Sequence, residues 1–252
     1  MRTKIFSTKA EKYARFRWDY APPSITAVYT IANLSASSRI ADIGAGTGNL
    51  TRHFLGQMNR VYAVEPNKEM RQSLDKKAAS HPECIVLDST AEKTGIPTGI
   101  IDLITVGTAL HWFDPVPARL EFIRILKPGG WLAIFRNENN NQALNEAMEA
   151  AFDPAWHTAG VDIESIIPVR KPDEFFFGHS HYEHHTYPFS IYEPWEHFFG
   201  AWCSLSYAPN EHESHFKDFE RAAHDVFDRF VGEDGLIPIH GLTRLAIGRV
   251  LS

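Results

Sequence analysis

The stretch Ile40-Ala41-Asp42-Ile43-Gly44-Ala45-Gly46-Thr47-Gly48-Asn49-Leu50-Thr51, IADIGAGTGNLT, puts three glycines at alternate positions directly after an apolar run. A glycine turn between a strand and a helix lets backbone approach a ligand at the helix's positive end, or lets the two elements pack closely. The residues around it fit that setting. Arg39 to Ile43 reads as a short β-strand, and Asn49 to Met58 reads as a helix with Leu50, Phe54 and Leu55 turned inward.

Working outward, the unit repeats. Val61 to Val64 reads as a second buried strand ending at Glu65-Pro66, followed by the helical NKEMRQSLDKKAAS, in which Met70 and Leu74 are four apart. Ile85 to Leu87 is a third strand, and IDLITVG over 101 to 107 is a fourth, continuously apolar as in a parallel sheet covered on both faces. Pro117 to Leu126 reads as a helix stopped by Lys127-Pro128-Gly129-Gly130, and Trp131 to Phe135 as a fifth strand. Upstream, SITAVYTIANL (24 to 34) places Ile25, Val28, Ile31 and Ala32 near one helix face, with Ser24 after Pro22-Pro23 as its start. Such alternation predicts an α/β protein with a doubly wound sheet.

After Arg136 the alternation stops. Residues 142 to 152 look helical, 181 to 190 look like a strand, 211 to 230 look helical with Phe216, Phe219, Ala223, Phe227 and Phe230 as the apolar set, and 242 to 250 read as a last strand. No internal repeat, low-complexity tract or linker appears. The expectation is one domain over 1–252, with an N-terminal segment (1–35), a core (36–136) and a decorating C-terminal part (137–252).

The 252 residues are 44% hydrophobic, 12% aromatic and 22% charged, with a net charge of -6, an ordinary globular composition that does not favour a polyphosphate or nucleic-acid partner. No apolar run approaches a membrane span, and the polar start MRTKIFSTKAEKYARFRWDY lacks a signal peptide's apolar core, so the expected location is the cytoplasm and no membrane partner is expected. The two cysteines, Cys84 and Cys203, show no metal spacing and read as reduced packing residues.

Two cofactor classes use a glycine turn of this kind. The dinucleotide fingerprint G-x-G-x-x-G, counted from Gly44, would put its third glycine at Asn49; here the glycines are 44, 46 and 48. Asp42, two residues before the first glycine, is awkward beside a pyrophosphate but suits a ligand carrying an ammonium group, as S-adenosylmethionine does. Glu65 ends the second strand roughly 20 residues further on, where an acid can accept both ribose hydroxyls of either cofactor. It could equally cap the helix at Asn67.

At this point the chain resembles a known family, the class I S-adenosylmethionine-dependent methyltransferases, in the small-molecule branch that includes the trans-aconitate methyltransferases. The resemblance runs from about Tyr13 to Phe135 and joins D-x-G-x-G-x-G at 42 to 48, the acid Glu65, Thr90-Ala91-Glu92, IDLITVGTALHWFD at 101 to 114 and ILKPGGWLAIF at 125 to 135. It implies a Rossmann-like, mostly parallel seven-stranded sheet with a C-terminal helical and aromatic lid. It also implies that Gly44, Ala45, Gly46, Thr47 and Gly48 wrap the methionine part of the cofactor. Glu65, with Pro66 and Met70 behind it, holds the ribose; Thr90, Ala91 and Glu92 lie along the adenine; and Gly107 and Thr108 complete the floor. The family often has an acid directly before the Ala-Glu pair, whereas this chain has Thr90, with Asp88 two residues earlier; which of the two serves is open. The segment KYARFRWDYAPPS resembles the Y-x-x-x-R-P-x-Y stretch that covers the cofactor in this branch, with Tyr13, Arg17 and Tyr20 matching and Trp18 in place of the proline. By that match Arg17 pairs with the cofactor carboxylate.

Methyl transfer from a sulfonium is an in-line displacement whose leaving group needs no protonation, so alignment and desolvation supply most of the rate. A base at the mouth of the site would add roughly 10²–10⁴-fold, and His111, just past the fourth strand, is the candidate. The acceptor would be a small, partly apolar molecule methylated on oxygen, carbon or nitrogen. Tyr20, Trp112, Trp195 and Trp202 are candidate acceptor-side residues, the last two within the aromatic block 175 to 207, which reads as wall and lid or as core packing. His179, His181, His184 and His185 match no established metal spacing, and no metal site is assigned. A non-catalytic S-adenosylmethionine-binding module and an NAD-dependent oxidoreductase are the alternatives; no N/D-P-P-Y motif follows the fourth strand to suggest a nucleic-acid enzyme.

Overall fold

The computed structural model describes residues 9–57, 59–159, 171–205 and 208–251, with side chains throughout except over 153–159. Seven strands form one sheet in the order β3-β2-β1-β4-β5-β7-β6. They are β1 (Arg39–Ile43), β2 (Arg60–Val64), β3 (Cys84–Leu87), β4 (Ile101–Gly107), β5 (Leu126–Asn139), β6 (Glu183–Glu193) and β7 (Ile237–Arg249). The first five run parallel, and β7 is antiparallel to both β5 and β6. The chain goes one way from β1 to β2 and β3 and the other way to β4 and β5. The β1/β4 boundary is therefore the switch point beside which ligands of open α/β sheets gather.

Alternate residues of the central strands serve two cores, as the two-residue period of a strand requires. Ala41, Ile43, Ile104, Val106, Leu132 and Ile134 point to one face, where Phe122 and Ile125 of α4 (Pro115–Ile125) and Phe176 and Phe177 of α6 (Asp173–Phe177) cover them. Ile40, Val61, Leu103, Ala133 and Phe135 point to the other, against Ile25 and Val28 of α2 (Pro22–Ile31) and Phe54. Helix α3 (Lys68–Ala78) is capped by the Asn67 side chain and buries Met70 and Leu74.

Three local expectations need correction. Residues 49–57 do not form an α-helix; a four-residue 3₁₀ turn, Thr51–Phe54, stands there, and Met58 lies outside the described residues. The Thr51 hydroxyl donates to Asp42 at 2.6 Å and the Asn49 amide oxygen accepts from Lys77 at 2.9 Å, both pulling the segment toward neighbouring elements. Leu50, Phe54 and Leu55 are nevertheless buried, packed in the core against Ile25 and Val28. Helix α2 starts at Pro22 rather than Ser24, with both prolines in the first turn where their missing N–H groups cost nothing. The fifth strand is far longer than expected, beginning at Leu126 and continuing to Asn139.

Beyond the sheet, α1 (Ala10–Phe16), α5 (Gln142–Ala159), α7 (Trp195–Cys203) and α8 (Phe216–Phe230) form a cap. Its own core contains Leu144, Met148, Phe152, Phe198, Phe219 and Phe227, with Ile237 and Ile239 of β7 beneath. Helix α1 seats Phe16 against Gly200 of α7, where an added Cβ would come within 2.5 Å of the ring.

A cleft between the glycine turn and the cap

A cleft of about 240 Å³ opens at the carboxyl ends of β1, β4 and β5. Its floor is Asp42, Gly44, Ala45, Gly46, Asn49 and Leu50 with Gly107 and Thr108; its roof is Tyr13, Arg17, Trp18 and Tyr20 from the N-terminal segment; its far wall is Asn137, Asn139, Asn145, Ala201, Trp202 and Leu205.

The three glycines of the turn all have positive φ, at 70°, 56° and 82°. They are bare for different reasons. A Cβ on Gly44 would lie 2.7 Å from the Ala109 Cβ, and one on Gly48 would lie 2.7 Å from the Leu74 Cδ1, so these two permit packing. A Cβ on Gly46 would meet nothing within 4 Å. That position alone is bare toward open space in the cleft. Thr108, another floor residue, also has a left-handed backbone at φ 52°, strained for a β-branched side chain.

Asp42 is fully buried, and its two oxygens accept from the Thr51 and Thr105 hydroxyls at 2.6 and 3.0 Å. Burial pushes its carboxyl up to about 6, held back by those hydrogen bonds. Glu65 bends over the turn: its Oε2 accepts the Gly46 N–H at 2.9 Å and its Oε1 accepts the Asn67 N–H at 2.8 Å. Burial raises its pKa against those two bonds. Arg71 bridges the ends of β2 and β3 by donating to the Glu65 carbonyl and to Asp88 at 2.8 and 2.6 Å.

The roof is clamped to the sheet. Asn137 donates to the Trp18 and Asp19 carbonyls and accepts from Thr243, while Asp19 pairs with Arg52 and His53 of the 3₁₀ turn and is lowered to about 2 by those contacts against its burial. Trp18 donates its indole N–H to Glu193 at 3.1 Å, and Tyr20 sits 3.3 Å from the Thr108 hydroxyl. Burial drives the Tyr20 phenol well above its usual pKa. The Arg17 guanidinium lies over the Tyr13 ring, 4.9 Å from its centroid, and its Nε is buried without a hydrogen-bond partner among the described residues.

Of the residues singled out from sequence, the cleft brings together Tyr13, Arg17, Tyr20, Asp42, Gly44, Ala45, Gly46, Gly107, Thr108 and Trp202. Thr47 and Gly48 belong to the same turn without lining the cleft. Pro66, Met70, Asp88, Thr90, Ala91 and Glu92 lie beyond Glu65, around the ends of β2 and β3. Asp88 and Thr90 are exposed, Ala91 is buried, and Glu92 accepts the Asp114 N–H at 2.8 Å.

Of the base and acceptor-side candidates, His111, Trp112 and Trp195 also fall outside the cleft lining. His111 sits half-buried on the 3₁₀ turn Leu110–Trp112, its ring 4.9 Å from that of Trp112, which packs on the sheet core. Trp195 stacks on Phe199 at 4.8 Å and packs against Phe227 at 5.5 Å inside the cap. Tyr207, the end of the aromatic block, lies outside the described residues. Nor do the four histidines converge: His179 contacts the Arg249 carbonyl and His185 pairs with Glu183, and among the described residues no three His, Cys, Asp or Glu side chains are grouped to hold a metal.

Asn137, Asn139 and Asn145 were not anticipated. The run Asn137-Glu138-Asn139-Asn140-Asn141-Gln142 follows the β5 core at the end of a parallel strand, and that position was the available clue.

Residues 41–134 match the family model described as a methyltransferase domain. An uncharacterized methyltransferase of Mycobacterium tuberculosis is 34% identical over 137 residues, 54% of each chain. The ubiquinone/menaquinone biosynthesis C-methyltransferase UbiE of Stutzerimonas stutzeri is 32% identical over 126 residues, 45% of this chain and 47% of that one. The chain thus matches about half the length of these curated relatives. The YcgJ protein of Bacillus subtilis shares the fold at a TM-score of 0.58 and 20% identity, over 92% of this chain and 100% of that one. The Rossmann-like, mostly parallel seven-stranded sheet is thus a fold this chain shares with that solved structure, with aromatic helices in its C-terminal part.

Proposed function

We propose that the chain transfers a methyl group from S-adenosylmethionine to a small molecule held between the glycine turn and the cap. The observation that carries this reading is Gly46, whose bare Cα faces open cleft while its neighbours' bareness is consumed by packing. The absence of an α-helix after the turn adds weight against NAD, because a pyrophosphate is seated on a helix N-terminus and only a four-residue 3₁₀ turn follows here.

In this reading Gly44 to Gly48 border the methionine portion, Arg17 meets its carboxylate, and Glu65 accepts the ribose hydroxyls. Asp88, Thr90, Ala91 and Glu92 border the adenine. When bound, the cofactor supplies an electrophilic methyl on sulfur. The chain's part is to align acceptor and methyl and to exclude water, which the clamped roof and cap are built to do. His111 lies outside the cleft lining and receives no role as a base. The trans-aconitate branch remains a resemblance at the motifs, and the curated relative acting in quinone biosynthesis extends the range of acceptors worth screening.

Calorimetric titration of the protein with S-adenosylhomocysteine and with NAD tests the cofactor. Binding of the first and not the second is expected; the reverse removes the proposal. Turnover of S-adenosylmethionine with a panel of small acceptors then separates an enzyme from a silent binding module.

A further inference from the structure

The far wall of the cleft contains three asparagines whose hydrogen bonds differ in a way that selects one of them. Asn137 is spent on the Trp18 and Asp19 carbonyls and on Thr243. Asn145 donates its Nδ2 to the Asn139 carbonyl at 3.0 Å. Asn139 is held from two sides: that carbonyl accepts from Asn145, and its Oδ1 accepts the Asn141 N–H at 3.0 Å, which fixes which end of the amide is oxygen. Its Nδ2 is left buried with no hydrogen-bond partner among the described residues. A buried donor without a partner is unfavourable, and retaining one at a cleft wall makes sense where a ligand atom satisfies it.

Among the described residues, the two buried lining side-chain atoms without a hydrogen-bond partner, Arg17 Nε and Asn139 Nδ2, are both donors. Asp42, the one carboxylate among the described lining residues, already accepts two threonine hydroxyls. A ligand atom that meets either of them must be an acceptor. Among the described residues Arg17 is the only cationic one in the lining and is assigned to the cofactor carboxylate, which leaves a neutral amide donor for the second molecule. Around that donor the wall offers Trp18, Ala201, Trp202 and Leu205.

Resting on the proposed function, the geometry points to an acceptor substrate that is neutral, carries a carbonyl oxygen bound by Asn139 Nδ2, and has a flat apolar body lying along Trp18 and Trp202. A carboxylate would have no unassigned cation to meet among the described lining residues, and an ammonium has no lone pair with which to accept from Asn139 Nδ2.

The test uses the protein saturated with S-adenosylhomocysteine and three probes of one shape: benzamide, benzoate and benzylamine, with dissociation constants from ligand-observed NMR. Benzamide should bind the tightest. Asn139→Asp keeps the oxygen that accepts the Asn141 N–H but replaces the donor by an acceptor; it should weaken benzamide by on the order of 10-fold, favour benzylamine, and leave S-adenosylhomocysteine affinity unchanged. Asn139→Leu, checked by thermal melt, should weaken benzamide without favouring benzylamine. Benzoate binding tightest, benzamide affinity indifferent to Asn139→Asp, or binding of none of the probes each overturns the inference while the cofactor titration stands. Failure of the wild type to bind S-adenosylhomocysteine overturns the parent reading as well.

Discussion

The glycine turn at 44–48 and the aromatic block at 175–205 are each dense in one kind of residue, and both invite a ligand-based explanation. Only part of each earns it. In the turn, Gly44 and Gly48 are bare because Ala109 and Leu74 approach, and Gly46 is bare toward the cleft. In the block, Phe176 and Phe177 pack under the sheet, Trp195, Phe198 and Phe199 pack inside the cap, and Trp202 is the ring that reaches the cleft. Density of a residue type marks a region where geometry is demanding. Which member meets the ligand is decided by what stands opposite each one.

The largest effect that would sharpen this contrast is Trp195→Ala. The ring lies among Phe198, Phe199, His224 and Phe227 and away from the cleft, so truncation should destabilise the fold by roughly 3 kcal/mol, at the low end of the range for a core tryptophan because the ring is only partly buried. Urea denaturation measures this. S-adenosylhomocysteine affinity of the folded fraction should be unchanged, and a variant of wild-type stability with altered ligand binding would place Trp195 at the site instead.

Gly46→Val attacks the other side of the comparison. A β-branched residue at φ 56° is strained, and its side chain would stand where the cleft is open, so S-adenosylhomocysteine affinity should fall by about 100-fold or more, equivalent to roughly 2.8 kcal/mol. Circular dichroism should still report the sheet. Unchanged affinity by calorimetry would mean that the open space above Gly46 is not where the cofactor lies.

The same contrast explains what the sequence made legible. Buried parallel strands leave continuous apolar runs, so β1, β2 and β4 could be read almost to the residue, and the Asp42–Gly48 spacing identified the turn because bare backbone has only one residue type to write it with. The 3₁₀ turn after it was misread because the Asp42–Thr51 bond that shapes it spans two elements. The asparagines of the far wall escaped notice because three identical side chains do three jobs, and only their partners separate clamp from candidate ligand contact. Trp18 was noted only as standing in for a proline, yet its indole reaches Glu193 some 175 residues away in sequence.

Glu65→Ala should have a smaller effect than Gly46→Val. Loss of a charged acceptor for ribose hydroxyls is worth on the order of 1.5–3 kcal/mol of cofactor affinity, or about 10- to 100-fold. Because Glu65 also holds the Gly46 and Asn67 N–H groups, Glu65→Gln separates the roles: it keeps one strong acceptor for the turn and should retain more affinity than alanine. Equal calorimetric constants for wild type and alanine variant would remove Glu65 from the cofactor.

The smallest expected effect lies at the seam between roof and cap. Glu193 is buried, its Oε1 accepts the Trp18 indole N–H, and its Oε2 has no hydrogen-bond partner among the described residues. Burial pushes its carboxyl from 4.5 up to about 7, opposed by the Trp18 bond. Below 4.5 both folded and unfolded chains hold the proton, and the residue imposes no penalty. Between 4.5 and about 7 the folded chain holds a proton that the unfolded chain has released, so stability falls as pH rises; above 7 the full cost of the buried charge is present. Glu193→Gln keeps the oxygen facing Trp18 and removes the charge. Its advantage over wild type in urea denaturation should therefore be absent at pH 4, appear through pH 5 to 7 and level off at pH 8. Asp42, raised to about 6, is common to both proteins and cancels in the difference. A constant difference across that range would show that Glu193 ionises as it would in water, and that the seam admits solvent where the folded cap is drawn closed.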